Sequence, residues 1–107
     1  MTTFDQRERA FEKKFAQDEE LRFRANARRN RFIGLWAAKK LGLLGPEAES
    51  YAKILVTTDI DKPGSDSVLE KVDADLKSRG IAESGDEIRR LMEEFTVQAV
   101  AEIQAGR

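Results

Sequence analysis

The chain contains no cysteine and no histidine, only two prolines, and few aromatic side chains, at 7% of 107 residues. Without cysteine there is no disulfide and no thiolate nucleophile; without histidine as well, Cys/His zinc sites and His-based catalytic triads are excluded together. No apolar run approaches the roughly 18 residues of a membrane span. The opening MTTFDQRERAFEKK is charged where a secretory signal carries its apolar region. These absences point to a non-membrane, cytoplasmic protein without a metal or redox centre.

Charge is abundant but segregated. The net value of −1 hides three blocks: four basic and six acidic residues in 1–20, seven basic and none acidic in 21–46, and eight basic against fourteen acidic in 47–107. Such a balance argues against bulk nucleic-acid binding while leaving room for a local basic patch. With 36% charged residues, the apolar side chains have to be concentrated on single helix faces. A chain of this length is most simply one domain with a modest core.

The central stretch LRFRANARRNRFIGLWAAKKL, residues 21–41, has helical periodicity, with Leu21, Ala25, Phe32, Leu35, Trp36 and Lys39 at three- and four-residue steps. It ends at Gly42, with Leu43 set to make the usual contact after a glycine C-cap. Gly34 within it is unfavourable for a helix by about 1 kcal/mol relative to alanine, which implies close approach of another helix. Gly45-Pro46-Glu47 starts a second helix, with Ala48, Tyr51, Ala52 and Leu55 on its apolar face. Its β-branched run Ile54 to Thr58 is read as helix because no partner strand exists, a short strand being the alternative. A break at Asp61-Lys62-Pro63-Gly64 precedes a third helix over Ser67–Arg79, where Ser67 and Glu70 have capping-box spacing. Gly80 and Ile81 suit a Schellman ending on Leu76. The fourth helix opens at Ser84 with Glu87 three residues on, and its stripe is Ile88, Leu91, Met92, Phe95, Ala99, Val100 and Ile103. Together these predict an all-α protein, a four-helix bundle over 20–107.

Residues 1–19 are a separate matter. Thr3 and Gln6 have capping-box spacing, and Phe4, Phe11 and Phe15 form a thin aromatic line among charged residues. Three rings can anchor a helix in a groove but cannot make a core. The junction at Gln17–Arg24 does not break the helix, so the arm is expected to be helix-competent, mobile when free and ordered on binding. Docking of Phe11 and Phe15 on the chain's own bundle is the alternative.

Catalytic patterns are weak. Asp59 and Asp61, or Asp73 and Asp75, are spaced by two and so point apart, as expected of solvated acids. Gly42-Leu43-Leu44-Gly45 lacks the Lys-Ser/Thr of a phosphate loop. The arginines Arg22, Arg24, Arg28, Arg29 and Arg31 suit phosphate contacts, and Arg28 with Arg29 a small anion or nucleotide, but the acidic remainder of the chain suits internal pairing better. Trp36 is read as a core residue.

The runs FDQRERAFEKKFAQDEELRF, ARRNRFIGLWAAKKLGL with the following AESYAK, and the Pro-Gly loop before VLEKV resemble the zeta subunit family of alphaproteobacterial F-type ATP synthases, which are ATPase inhibitors. The resemblance extends over the whole chain. It implies a non-enzymatic inhibitor with a four-helix bundle and an inhibitory N-terminus, acting peripherally on the membrane-bound synthase and needing no cofactor. The N-terminal segment would enter a catalytic α/β subunit interface near the central stalk and block rotation in the hydrolytic direction. Phe4, Phe11 and Phe15 would be its apolar anchors; Arg7, Arg9, Lys13 and Lys14, with Asp5, Glu8 and Glu12, would make its polar contacts. A small nucleic-acid- or nucleotide-binding bundle using the Arg22–Arg31 helix is the rival reading.

Overall fold

In the computed structural model the backbone is described from Thr2 to Arg107 and side chains for residues 19–64 and 66–107. The described residues form four helices and no strand: α1 (Thr2–Lys40), α2 (Pro46–Asp61), α3 (Ser65–Ser78) and α4 (Gly85–Gln104). The expected all-α bundle is present, and the Ile54–Thr58 run is helical within α2. The expected mobility of the arm and its aromatic line falls on side chains outside the described residues.

α1 lies along both α2 and α4, while α3 closes the bundle against the other three. At 1.5 Å per residue, α1 is about 58 Å long, against about 30 Å for α4 and about 24 Å for α2. The molecule accordingly measures 62 × 25 × 23 Å.

The core is built from Ile33, Ala37, Ala38, Tyr51, Leu55, Val68, Val72, Leu76, Ile88 and Met92. Fully burying an aliphatic side chain of this size contributes about 1.5–3 kcal/mol, so this cluster is the main source of bundle stability. On α1 the buried line is Ala25, Arg29, Asn30, Ile33, Ala37 and Ala38. The larger Leu21, Phe32, Leu35 and Trp36, expected at its centre, are half-buried on its flanks, and Lys39 is exposed. Small residues hold the centre because α1 and α2 nearly touch. A Cβ added to Gly34 would lie 2.7 Å from the Ala52 Cα. Trp36 packs against the core edge, with Lys40 Nζ 5.6 Å from its ring centroid.

Three helices end in the same way. Leu43 donates its backbone N–H to the Ala38 carbonyl, Ile81 to Leu76 and Arg107 to Glu102, each at 2.9 Å, with glycine at positive φ just before. These are Schellman endings that satisfy carbonyls a helix otherwise leaves free. At the start of α4, Ser84 Oγ accepts from the Glu87 N–H at 3.1 Å, as the spacing predicts. The Ser67 cap does not form. α3 begins two residues earlier, after Gly64, and Ser67 Oγ instead donates to the Lys62 carbonyl at 2.7 Å.

Candidate functional site

The arginine-rich part of α1 turns much of its charge inward. The Asp59 carboxylate, near the end of α2, accepts from Asn30 Nδ2 at 3.0 Å and from the Gly64 N–H at 3.1 Å. Arg29 Nη2 stands 3.7 Å from the same carboxylate, while Arg29 Nε donates to Asn30 Oδ1 at 3.0 Å. Asn30 is fully buried and Arg29 is 7% exposed. Burial pushes the Arg29 guanidinium below its ordinary value, and the charge of Asp59 opposes that. An unpaired cation here would be strongly unfavourable, so Asp59 is a structural partner and not the solvated acid its spacing suggested.

The neighbouring cations are engaged too. Arg31 reaches both carboxylate oxygens of Glu49, at 2.9 and 3.1 Å. Arg28 donates to the carbonyl of Arg107, tying the C-terminus to α1. Lys40 pairs with Glu83 at 3.1 Å. Of the two residues considered for an anion or nucleotide, Arg29 therefore faces Asp59 and Arg28 faces the chain end. Arg22 and Arg24 are exposed, and Arg24 makes no ion pair with Glu20.

A second polar cluster joins α2 to α3. Tyr51 Oη donates to Asp75 Oδ2 at 2.7 Å, and Lys71 Nζ lies 2.9 Å from the same carboxylate. Burial, then the bond to Asp75 and its charge, push the Tyr51 phenol far above its ordinary value. The hydroxyl is thus held as a donor. Asp75, like Asp59, is bound within the fold.

A cleft of about 230 Å³ opens between α1, α2 and the loop after α2. Asn30 and Asp59 form its base; Phe23, Val56, Ile60 and Pro63 supply apolar walls. No sequence signal marked it, because Phe23 lies off the apolar line of α1 and Ile60 in the last turn of α2. The residues expected to carry function, Phe4, Asp5, Arg7, Glu8, Arg9, Phe11, Glu12, Lys13, Lys14 and Phe15, have side chains outside the described residues. Among the described residues no group of three acidic residues is placed to hold a metal ion. No helix among them is long and apolar enough to cross a membrane.

Fold and side-chain chemistry together define a small helical bundle whose polar clusters tie helix to helix, with one helix far longer than its neighbours. The chain belongs to the ATPase inhibitor subunit zeta family, which it matches over residues 1–102. Proteins of that family are, by description, inhibitor subunits of an ATPase. A structure solved by solution NMR is similar to this one, with 34% identity over 81% of this chain and 99% of the other, and a TM-score of 0.69. None of the curated proteins matches.

Proposed function

We propose that the protein restrains an F-type ATP synthase by inserting its N-terminal segment, about Thr2 to Glu19, at a catalytic interface between α and β subunits beside the central stalk. Insertion blocks rotation in the direction of ATP hydrolysis. Phe4, Phe11 and Phe15 act as apolar anchors, with Arg7, Arg9, Lys13, Lys14, Asp5, Glu8 and Glu12 making polar contacts around them. The protein itself catalyses nothing and associates peripherally with the synthase on its cytoplasmic side.

The observation that carries this reading is the length of α1. It is about 28 Å longer than α4 by helical rise, so roughly half of it has no helix of equal length to pack along. Much of the bundle's charge is meanwhile engaged internally, Arg29 facing Asp59, Arg31 bonded to Glu49 and Tyr51 to Asp75. Membership of the inhibitor family supports the same conclusion. An inhibitor of this kind needs no chemistry of its own. It needs a segment that a groove can grip and a body too large to follow, which keeps the segment at high local concentration.

The test is ATP hydrolysis by purified synthase with the whole chain and with residues 1–19 removed. Loss of inhibition, with the helical circular-dichroism signal of the bundle retained, is the expected result. Equal inhibition by the shortened protein would refute the proposal. The nucleic-acid reading has less support, because Arg28, Arg29 and Arg31 each hold a protein partner.

A further inference from the structure

The cleft between α1 and α2 is an unusual place for apolar surface. Phe23 is 66% exposed and Ile60 60% exposed, and they line one cavity together with Val56 and Pro63. The other large exposed apolar side chains among the described residues, Leu44, Ile54 and Val97, line no part of it. Scattered exposed apolar residues are ordinary; a concave group of them marks a contact site.

Its base is fixed. Asp59 holds Asn30 of α1 and the Gly64 N–H of the loop at the same time, so the walls keep their spacing without an occupant. A preformed pocket avoids the ordering cost that weakens flexible ones. At about 230 Å³ it falls below the range of roughly 300–1,000 Å³ typical of small-molecule sites, and it suits one or two protein side chains instead.

Two observations identify the occupant. First, Phe23 lies on the same continuous helix as the segment proposed for insertion, one turn beyond Glu19. A partner that grips that segment along α1 meets the cleft next. Second, the one charged lining residue, Asp59, is already paired with Arg29, and the exposed charges next to lining residues in the chain are more often positive than negative. Arg24 neighbours Phe23 and Ala27 on α1, Lys53 lies one turn before Val56, and Lys62 precedes Pro63; all three are exposed. Against them stand Glu20 and Asp61. None of the five forms an ion pair with a described residue.

We propose that the Phe23–Ile60 cleft is a second docking point for the ATP synthase head, taking an apolar side chain flanked by acidic residues beside the entrance used by the N-terminal segment. The inference rests on the insertion reading and adds to it. The segment stops rotation, while the cleft sets how firmly the bundle stays seated at the entrance.

The test uses the whole chain with Phe23→Ala and, separately, Ile60→Ala. Both side chains are mostly in solvent, so the fold should survive, and circular dichroism checks that it does. Truncation of a central apolar anchor typically costs an interface more than 1 kcal/mol, so the concentration for half-inhibition should rise about tenfold, with full inhibition still reached at saturation. Because the chain has no cysteine, an Ile60→Cys variant carries a single thiol, and the bound synthase should slow its reaction with a maleimide. Half-inhibition within twofold of the parent for both alanine variants, with the introduced thiol reacting equally fast in the presence of synthase, would overturn the proposal. So would self-association of the free protein that Phe23→Ala abolishes, which would make a second copy the occupant. If residues 1–19 prove dispensable, the insertion reading fails instead, and the two failures are distinguishable.

Discussion

Replacing Gly34 with alanine sets two opposed effects on one atom. The added methyl improves helix propensity by about 1 kcal/mol at an interior position. The same methyl would stand 2.7 Å from the Ala52 Cα, 3.1 Å from its Cβ and 3.3 Å from Leu55 Cδ1. The nearest of these is a backbone atom, so no rotamer change can relieve it. Restoring an ordinary 3.4 Å contact requires α1 and α2 to part by about 0.7 Å there (3.4 minus 2.7). Overpacking of this type typically costs about 1–3 kcal/mol, and Leu55 and Ala52 are fully buried around the point of strain. The net expectation is a loss of about 0–2 kcal/mol, or a fall in Tm of up to roughly 15 °C for a domain this size. Urea unfolding followed through the single Trp36, with circular dichroism as the second probe, measures it. Gly85→Ala is the matched control, since its Cβ meets nothing within 4 Å and α4 should gain about 0.4–1 kcal/mol. A Gly34→Ala protein more stable than the parent by the full propensity gain of about 1 kcal/mol would refute the claim that α1 and α2 meet at this glycine.

Asp59→Ala should cost about 3 kcal/mol, because it strands the buried Arg29 and releases Asn30 and Gly64 together. The double change Arg29→Met with Asp59→Leu should recover only the part due to the stranded guanidinium, because buried Asn30 then keeps neither partner, as equilibrium unfolding in urea would show. Ser84→Ala removes the cap on the Glu87 N–H and should cost about 1 kcal/mol in the same measurement. Tyr51, the only tyrosine, should resist alkaline titration in the folded state, since its phenol is raised well above the usual value. The unfolded chain then loses its phenolic proton first. The stabilisation is therefore complete below pH of about 10 and declines as pH rises beyond it. Tyrosinate absorbance appearing at the ordinary pH without loss of helix would count against the Tyr51–Asp75 bond. Tyr51→Phe should abolish this alkaline dependence at a cost of about 1 kcal/mol near neutrality.

Helix ends governed by local chemistry were legible in the chain itself. Gly42 with Leu43, Gly80 with Ile81, and Ser84 with Glu87 all act as their spacing implies, because the bonds involved span five residues or fewer. The face of α1 was harder. Periodicity favours large apolar residues, yet the buried line passes through Ala25, Arg29, Asn30, Ile33 and Ala37. Two tertiary facts decide this: α2 crosses closely at Gly34, and Asp59, 29 residues beyond Asn30, supplies the partner that lets polar groups be buried. Ser67 departs from its spacing for a related reason, since Asp59 holds Gly64 and lets α3 begin earlier. The cleft at Phe23 and Ile60 was invisible, because each residue alone looks like ordinary exposed surface. Family membership was legible in long runs such as ARRNRFIGLWAAKKLGL, where many local constraints coincide.

The unbroken course of α1 has a mechanical consequence. Between Met1 and Ile33 the chain contains neither glycine nor proline, the residues that most readily hinge or kink a helix. A sideways load on the far end would therefore bend a rod clamped from Ala25 to Ala38, with no slack tether to take up the motion. On the proposed insertion, such a part would resist a turning shaft as a pawl resists a ratchet, through stiffness, and a flexible glycine-serine insert before Leu21 should then weaken inhibition.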